Sequence, residues 1–306
     1  MIAVTGAAGY LGGRLVAHLA DSAVPVRAIV RQRQRWLDRD GVEQVEGDVT
    51  AVGVADVVVH LAAPNEVAAT RDPAGTTADA IATAHRVAAA AASRGVARLV
   101  LASTVHVYGA RIVDGARLTE DLRCEPRHPY AVARLAAEHL VAGVLSETGT
   151  DLVVLRITNG VGAPADPSVD RSTLLVNDLA CGAAASERLV LRTAGLQWRD
   201  FVAVADICRV AATACDPSVI PAGTYNLGSG TPRTVRTMAD LVADAYEAQT
   251  GRRPPLTAPE PDGPPPEPYL VDTSRLGALG VLKNPTPIEV AVGEVVEACL
   301  ASPPSP

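Results

Sequence analysis

The 306-residue chain contains almost no lysine and no long apolar run. Lys283 is its single lysine, so arginine supplies all the other basic side chains. No segment approaches the roughly 18 to 20 consecutive apolar residues that a membrane-spanning helix needs. The opening residues 1–4 also lack the basic start and the small-residue cleavage site of a signal peptide. We therefore expect a cytoplasmic protein that does not bind membranes.

Paired cysteine motifs and an excess of positive charge are also absent. The five cysteines are widely spaced, with no C-x-x-C pair, and this pattern favours reduced thiols over disulfides or a zinc site. A net charge of −7 argues against general nucleic-acid binding, because neutralising phosphates needs a basic face. The sequence thus predicts neither a bound metal nor a nucleic-acid partner.

The sequence does contain a regular alternation of short β-type runs with helical stretches. Hydrophobic residues make up 48% of the chain and charged residues 20%, as in ordered globular proteins. Successive residues of the β-type runs are apolar, which indicates strands buried on both faces. The pattern predicts an α/β fold with a doubly wound, Rossmann-type parallel sheet. We expect strands at 2–6, 26–30, 56–62, 98–104 and 151–157, and helices at 11–20, 78–94 and 130–146.

Beyond residue 157 the signals are mixed and indicate a smaller, mixed α/β C-terminal lobe. Thr234 is a suitable N-cap for one of its helices. We expect helices at 172–186 and 234–249, strands near 188–193 and 223–228, an irregular segment at 253–268, a closing helix with Pro287 in its first turn, and a frayed end at 302–306. The predicted division is a dinucleotide-binding domain at 1–157, rejoined by about 195–222, and a substrate-binding lobe at 158–194 and 223–306.

Three glycines, Gly6, Gly9 and Gly12, directly follow the first predicted strand and open the first helix. Glycine in these positions permits a tight turn, close approach of the backbone to a pyrophosphate, and close packing of helix on strand. The helix N-terminus favours the anion. The segment therefore predicts a dinucleotide site, with a glycine-rich turn that binds no ligand as the alternative.

An ordered series of motifs resembles the extended short-chain dehydrogenase/reductases, in particular the NAD(P)-dependent epimerases and dehydratases that modify nucleotide sugars. The series starts with the G-x-x-G-x-x-G spacing and continues through GDVT (47–50), HLAA (60–63), STVHVYG (103–109), PYAVAR (129–134), LRITNGVGA (155–163), RDFVAVAD (199–206) and YNLGSGTPRTV (225–235). The resemblance implies a small-molecule nucleotide-sugar substrate. It also implies cofactor contacts from Gly6, Gly9, Tyr10, Leu11, Gly12, Arg31, Asp48, Val49, Leu61, Ala62, Ala63, Tyr130 and Arg134.

The residue at the end of the second predicted strand indicates which dinucleotide is bound. NAD enzymes place a carboxylate there, about 20 residues beyond the glycines, to bind the ribose 2′-hydroxyl. Arg31 occupies this position, with Arg33 and Arg35 close behind it. A guanidinium matches the charge and geometry of a 2′-phosphate, so the sequence favours NADP(H) over NAD. A solvated run of charge is the alternative interpretation of these arginines.

Thr104, Tyr130 and Arg134 are the candidate catalytic residues. In the family that the motifs resemble, a tyrosine exchanges a proton with the substrate oxygen, and a lysine four residues later supplies a cation and holds the nicotinamide ribose. A free tyrosine titrates near 10, so a catalytic one needs such a cation. Position 134 is arginine, which keeps the charge but changes the hydrogen-bond geometry. Thr104 aligns with the catalytic Ser/Thr of the family, whose hydroxyl bonds the substrate carbonyl.

The substrate side departs from the sugar dehydratases. Val105 and His106 stand where those enzymes have an Asp-Glu pair, so the acid and base for eliminating water are missing. His106 becomes a candidate substrate contact.

The resemblance also implies substrate contacts at Asn159 and at Arg199, which corresponds to an arginine that binds the substrate diphosphate. A second diphosphate arginine is missing from the segment at 258–263, unless Arg252 or Arg253 replaces it.

Three functions remain open. The leading hypothesis is an NADP(H)-dependent ketoreductase that acts on a nucleotide-linked keto-deoxysugar at C4. An NAD-dependent nucleotide-sugar 4-epimerase is the second, and a non-catalytic dinucleotide-binding protein, motivated by Arg134, is the third. We also expect a homodimer, because in the family the helices corresponding to 78–94 and 130–146 pair across a twofold axis, and the alanines at 88–92 suit close packing. Ordinary helix-on-sheet packing is the alternative.

Overall fold

The computed structural model describes residues 1–302, and a parallel sheet of seven strands forms the centre of the molecule. The strands in this range are β1 (Ile2–Thr5), β2 (Val26–Val30), β3 (Val42–Glu46), β4 (Val57–His60), β5 (Arg98–Thr104), β6 (Arg117–Leu118), β7 (Asp151–Ile157), β8 (Asn159–Val161), β9 (Leu189–Val190), β10 (Trp198–Ala203), β11 (Gly223–Leu227), β12 (Pro232–Thr234), β13 (Leu256–Thr257) and β14 (Leu270–Val271). The helices are α1 (Tyr10–Asp21), α2 (Glu66–Arg71), α3 (Pro73–Ser93), α4 (Pro129–Leu145), α5 (Leu175–Ser186), α6 (Val204–Thr213), α7 (Val235–Thr250), α8 (Ser274–Ala278) and α9 (Ile288–Ala301), with 3₁₀ turns at Arg35–Leu37 and Val105–Arg111.

The large sheet has the strand order β3-β2-β1-β4-β5-β7-β11, and every neighbouring pair is parallel. The order reverses between β1 and β4. In sheets of this type the reversal opens a crevice at the carboxyl ends of the strands, where ligands bind. The prediction of a Rossmann-type, doubly wound parallel sheet is confirmed.

Each face of this sheet buries its own apolar core. On one face, Leu15 and Leu19 of α1 pack with Ile207 of α6. On the other face, α3 and α4 lie side by side and bury Ala88 and Val141. Ala88 is fully buried within this one chain, as is Ala91. Helix-on-sheet packing therefore already accounts for part of the small-residue run at 88–92.

The second lobe is built from α5, α7 and α9 around a third core, which includes Phe201, Met238 and Val292. Its small sheet has the order β12-β10-β8. A disulfide joins Cys181 of α5 to Cys299 of α9, with the two Cα atoms 5.0 Å apart. The expectation of reduced thiols throughout the chain is wrong for this pair, because packing of α5 on α9 brings together two cysteines that lie 118 residues apart.

Several boundaries differ from those expected. The strand at 223–227 lies at the edge of the large sheet, paired with β7, and not in the second lobe. Conversely β10, from the range expected to rejoin the large domain, pairs with β8 and β12. The predicted strand at 188–193 is limited to β9. These strands are too short for their local sequence pattern to determine which strands they pair with.

The ends of the C-terminal helices follow ordinary capping rules. Thr234 caps α7 as expected, its Oγ1 accepting a 3.0 Å hydrogen bond from the backbone N–H of Thr237. Pro287 precedes α9 as its N-cap and lies outside the first turn. Of the predicted frayed end, residues 303–306 lie outside the described part of the chain. No helix in residues 1–302 has the length and apolar character needed to cross a membrane.

Candidate active site

The glycine-rich turn between β1 and α1 is tightly packed and leaves Gly9 exposed at the N-terminus of the helix. Gly6 has a φ of +72°, and a Cβ there would lie 2.8 Å from the backbone nitrogen of Ala62. A Cβ on Gly12 would lie 2.0 Å from the carbonyl oxygen of Gly6. Gly9 is the N-cap of α1 and has no side chain to bond the free N–H groups of the first turn. The residues present therefore fit the pyrophosphate of a dinucleotide at this helix end.

Tyr10 and Leu11 in the first turn of α1 direct their side chains away from the open helix end. Tyr10 donates a 2.6 Å hydrogen bond to the carbonyl oxygen of Gly162 in the second lobe, and burial raises its pKa. Leu11 and Leu61 pack against the core of the sheet. Contacts from Tyr10, Leu11 and Leu61 to a dinucleotide would therefore involve their backbone atoms. Ala62 and Ala63, which follow β4 and are half-buried, would contact it through backbone atoms as well.

The arginines that follow β2 differ in their surroundings. Arg31 comes directly after the strand, is exposed, and forms no hydrogen bond or ion pair within residues 1–302. Arg33 is already paired with Asp38 at 2.8 Å. Trp36 then packs against α1, where a Cβ on Gly13 would lie 2.8 Å from its ring. The guanidinium groups of Arg31 and Arg35 are therefore both exposed and without a partner within residues 1–302, and Arg31 occupies the position expected to meet a 2′-phosphate.

Asp48 and Val49 follow β3 at the same edge of the sheet. Asp48 accepts a 2.8 Å hydrogen bond from the backbone N–H of Thr50, which holds the pKa of its carboxyl below the ordinary value. It also pairs with Arg86 of α3. Val49 packs beside the α3–α4 core. The pair with Arg86 holds Asp48 at the adenine end of the expected site.

His60 ends β4 beneath the crevice. Its Nδ1 lies 2.6 Å from Oγ1 of Thr5, the last residue of β1. Burial lowers its pKa to about 3, and the positive charge of Arg134 acts in the same direction. His60 is therefore neutral at neutral pH and ties together the ends of the two strands that form the crevice.

The candidate catalytic residues lie along β5 and α4. Thr104 ends β5, and its Oγ1 accepts a 3.3 Å hydrogen bond from the backbone N–H of His106. Half-buried Tyr130 lies in the first turn of α4, and the guanidinium carbon of Arg134 is 5.2 Å from the centre of its ring. Nη1 of Arg134 donates a 3.2 Å hydrogen bond to the carbonyl oxygen of Ala102 in β5. A cation therefore lies beside the tyrosine and is anchored to the strand that ends at Thr104.

One nitrogen of Arg134 lacks a partner. Its Nε is buried and forms no hydrogen bond within residues 1–302. A buried donor without an acceptor costs free energy, and the oxygen of a bound ligand would relieve that cost. This feature fits a hydroxyl of the nicotinamide ribose, which the lysine of related enzymes binds.

His106 lies in the cleft between the lobes. Its side chain is exposed, but the surrounding protein desolvates the imidazole and lowers its pKa, with the positive charge of Arg199 adding to the effect. The negative charge of Glu66 opposes the shift. Glu66 itself pairs across the cleft with Arg171 at 3.1 Å. The charge of Arg199 thus reaches His106, and both residues stay candidate substrate contacts.

Asn159 and Arg199 lie on the paired strands β8 and β10. The amide Nδ2 of Asn159 donates a 2.7 Å hydrogen bond to the carbonyl oxygen of Asp200, so it joins the two strands. Asp200 is buried, which raises the pKa of its carboxyl, and it accepts hydrogen bonds from Thr158 and Ser229. The side-chain carbonyl oxygen of Asn159 and its second Nδ2 hydrogen form no hydrogen bond within residues 1–302, so both are available to a substrate.

Arg252 and Arg253 do not reach this cleft. They follow the C-terminus of α7, a 16-residue helix whose N-terminus adjoins β12. A helix of that length spans roughly 24 Å. Both guanidinium groups are also occupied, Arg252 by Glu187 and Arg253 by Asp244 and Glu247. The suggestion that either replaces the missing diphosphate arginine is therefore wrong.

A buried polar network beneath the candidate catalytic residues was not anticipated from the sequence. Glu138, one turn after Arg134 on α4, accepts a 2.7 Å hydrogen bond from Nη2 of Arg156 in β7 and another from Ser103, the neighbour of Thr104. Nη1 of Arg156 also bonds the hydroxyl of Tyr108 at 3.2 Å. The spacing of Glu138 at four residues beyond Arg134 was a usable signal, since i, i+4 residues share a helix face.

The fold and the crevice define a nicotinamide dinucleotide-binding protein of the short-chain dehydrogenase/reductase type. Within that class, the chain belongs to the NAD dependent epimerase/dehydratase family, whose model matches residues 2–228. No group of three or more His, Cys, Asp or Glu side chains in the described residues is arranged to hold a metal ion.

Known relatives of this chain have several different activities. It is 29% identical over 263 residues to a dTDP-glucose 4,6-dehydratase of Streptomyces antibioticus, covering 79% of this chain and 76% of that one. It is also 29% identical over 260 residues to a GDP-6-deoxy-D-mannose reductase of Pseudomonas aeruginosa, covering 80% of each. A solved UDP-glucose 4-epimerase of Thermus thermophilus in complex with NAD has the same fold, with a TM-score of 0.82 and 24% identity over 98% of this chain and 99% of that one. The family model therefore establishes the family, and the differing activities of the relatives leave the reaction to be argued from the residues.

Proposed function

We propose that the protein is an NADP(H)-dependent ketoreductase that reduces a nucleotide-linked keto-deoxysugar at C4. The observation that carries this proposal is the placement of Arg134 against the ring of Tyr130, anchored to the strand that ends at Thr104. The names of the relatives include a reductase, a dehydratase and an epimerase of nucleotide-linked sugars. Val105 and His106 in place of two carboxylates disfavour the dehydratase among them.

The chain's own residues suffice for the proton chemistry of a reduction. The bound dinucleotide supplies the hydride that reaches C4. Tyr130 donates its phenolic proton to the C4 oxygen, so the ketone becomes an alcohol. The hydroxyl of Thr104 donates a hydrogen bond to the same oxygen while negative charge develops on it. The positive charge of Arg134 stabilises the phenolate that remains until solvent returns a proton.

The preference for NADP(H) rests on Arg31. Its guanidinium is exposed and unpaired within residues 1–302, whereas Arg33 is held by Asp38. We expect NADPH to bind more tightly than NADH, and Arg31→Ala to weaken NADPH binding roughly 10- to 100-fold without affecting NADH. Arg33→Ala is the matched control and should change NADPH affinity much less. Equal affinities of the wild type for the two cofactors, measured by fluorescence titration, would reject the preference.

Turnover distinguishes the ketoreductase from the other candidates. Purified protein is incubated with NADPH and a panel of nucleotide-linked 4-ketosugars, and consumed NADPH is compared with the alcohol formed. A one-to-one ratio supports the reductase. NAD that remains bound through purification, with interconversion of C4 epimers without added cofactor, would identify the epimerase instead. Dinucleotide binding without turnover of any member of the panel would favour a non-catalytic protein.

A further inference from the structure

Two arginines face each other across the small sheet of the second lobe. Arg199 of β10 and Arg233 of β12 are direct partners in the antiparallel register. Residues opposite each other in such a pair project from the same face, with their Cβ atoms about 4.5 to 5.5 Å apart, and like charges there are destabilising. This placement therefore lowers the stability of the folded protein unless an anion lies between the two guanidinium groups.

No carboxylate within the described residues is bonded to either arginine. Arg199 and Arg233 are both half-buried, and neither guanidinium forms a hydrogen bond or an ion pair within residues 1–302. The N-terminus of α7, a 16-residue helix, begins two residues after Arg233 and adds partial positive charge. Two guanidinium groups without a bonded partner therefore project from one face of the sheet beside a helix N-terminus.

Arg199 lies near His106, a candidate substrate contact. Its positive charge acts to lower the pKa of His106 and that of Tyr269, so its guanidinium is close enough to influence both side chains. An open cavity of about 340 Å³ is lined by the loops at 192–197 and 259–266, and the first of these loops leads into β10. Nε1 of Trp198, the neighbour of Arg199, donates a 2.8 Å hydrogen bond to the carbonyl oxygen of Pro266 and joins β10 to the second of these loops. Neither Arg199 nor Arg233 lines this cavity, so the placement of the pair does not depend on it.

We propose that Arg199 and Arg233 together bind the diphosphate of the substrate, with Arg233 supplying the second guanidinium that the segment at 258–263 lacks. This inference rests on the proposed nucleotide-sugar substrate. Guanidinium groups bind phosphate oxygens in a planar, bidentate manner, so two of them on one face can each take one phosphoryl group of a diphosphate. The bound anion removes the repulsion between the two side chains.

Calorimetric titration of single variants tests the assignment. The protein is first saturated with NADPH, so that the helix end at α1 is filled, and is then titrated with UDP, dTDP, GDP or inorganic pyrophosphate. Arg233→Gln should weaken binding of the diphosphates roughly 10- to 100-fold and leave NADPH affinity unchanged. Arg233→Lys should lose less, because it keeps the charge. Arg253→Gln is the matched control and should bind as the wild type does.

Thermal unfolding without ligand provides a second measurement. Arg233→Gln should unfold at the same or a higher temperature than the wild type, because it removes one of two opposed like charges. Pyrophosphate should raise the unfolding temperature of the wild type and have much less effect on Arg233→Gln. A lower unfolding temperature of unliganded Arg233→Gln would contradict the uncompensated repulsion and overturn the inference.

The outcomes separate this inference from the proposed function. Weakened diphosphate binding in Arg199→Gln, with unchanged binding in Arg233→Gln, would overturn the role of Arg233 and leave the nucleotide-sugar assignment standing. A wild type that binds NADPH but none of the nucleoside diphosphates would overturn both. Loss in Arg233→Gln and Arg199→Gln, with the control unchanged, supports the two-arginine site.

Discussion

At the scale of single residues, the proposed proton chemistry depends on Tyr130. Its ring lies against the guanidinium of Arg134, and Tyr130→Phe keeps that contact while removing the transferable proton. We expect turnover to fall by about 10² to 10⁴-fold, with NADPH affinity unchanged. Steady-state kinetics and cofactor titration measure the two effects separately. Full activity in Tyr130→Phe would show that another group donates the proton.

Arg134 should affect both binding and catalysis. Arg134→Ala removes the cation beside Tyr130 and the group whose buried Nε fits the ribose, so it should weaken NADPH binding and lower turnover together. Arg134→Lys keeps the positive charge and should retain appreciable activity. Steady-state kinetics and NADPH titration measure the two effects. Turnover and NADPH affinity of Arg134→Ala equal to those of the wild type would mean that Arg134 contributes to neither.

His60 should make the protein sensitive to mild acid. Burial lowers its folded pKa from the ordinary 6.5 to about 3, so between these values the unfolded chain binds a proton that the folded protein does not. The contribution of neutral His60 to the free energy of unfolding is fully present above pH 6.5 and is lost as pH falls from 6.5 towards 3. At pH 5 the expected loss is about 2 kcal/mol relative to pH 7.

The variant His60→Asn isolates this effect, because asparagine can keep the hydrogen bond to Thr5 but cannot take up the proton. Its free energy of unfolding in urea should fall less between pH 7 and pH 5 than that of the wild type, by about the same 2 kcal/mol. Exposed His139→Asn serves as the control. Parallel losses in the wild type and in His60→Asn would show that His60 does not cause the acid sensitivity.

At the scale of elements, α4 connects the candidate catalytic residues to the sheet through one helix face. Tyr130, Arg134 and Glu138 follow each other at four-residue spacing, and the last two bond to β5 and β7. Burying the ion pair between Glu138 and Arg156 costs desolvation free energy. We interpret its role as holding α4 in one position over the ends of the strands. The position of Tyr130 relative to Thr104 thus depends on residues that do not touch the substrate.

The disulfide between α5 and α9 should stabilise the second lobe. It links residues 118 positions apart. Closing so long a loop restricts the unfolded chain and thereby raises the free energy of unfolding by about 2 to 5 kcal/mol. Oxidised protein should show three free thiols, from Cys124, Cys208 and Cys215, and reduction should lower the midpoint of urea unfolding. The double variant Cys181→Ala/Cys299→Ala should be insensitive to reductant. Five titratable thiols in denatured, unreduced protein would contradict the disulfide. In a reducing compartment Cys181 and Cys299 would be thiols.

At the scale of the whole molecule, we propose a homodimer formed through the outer faces of α3 and α4. Ala88 and Ala91 are buried against the sheet and are not available to a partner, but Val132 on α4 is 40% exposed. Light scattering at micromolar concentration should give twice the chain mass of 31.5 kDa. A monomer at that concentration would reject the dimer.

The sequence by itself determined five of the seven strands of the large sheet and the turn that opens α1, because the relevant signals there are local. Successive apolar residues predict buried strands, and the glycines of the first turn lie within seven residues of one another. Tyr130 and Arg134 share a helix face by spacing alone. These features need no knowledge of which distant segments pack together.

Only the tertiary structure decided the features that depend on distant segments. The edge position of β11, the Cys181–Cys299 bond and the opposition of Arg199 to Arg233 each join residues more than 30 positions apart. Short strands carry too little pattern to specify their partners, so sheet membership follows from how the helices cover the apolar faces. The physical reason is that the burial of a side chain and the approach of two charges depend on which residues pack together. Only the folded structure determines which residues those are.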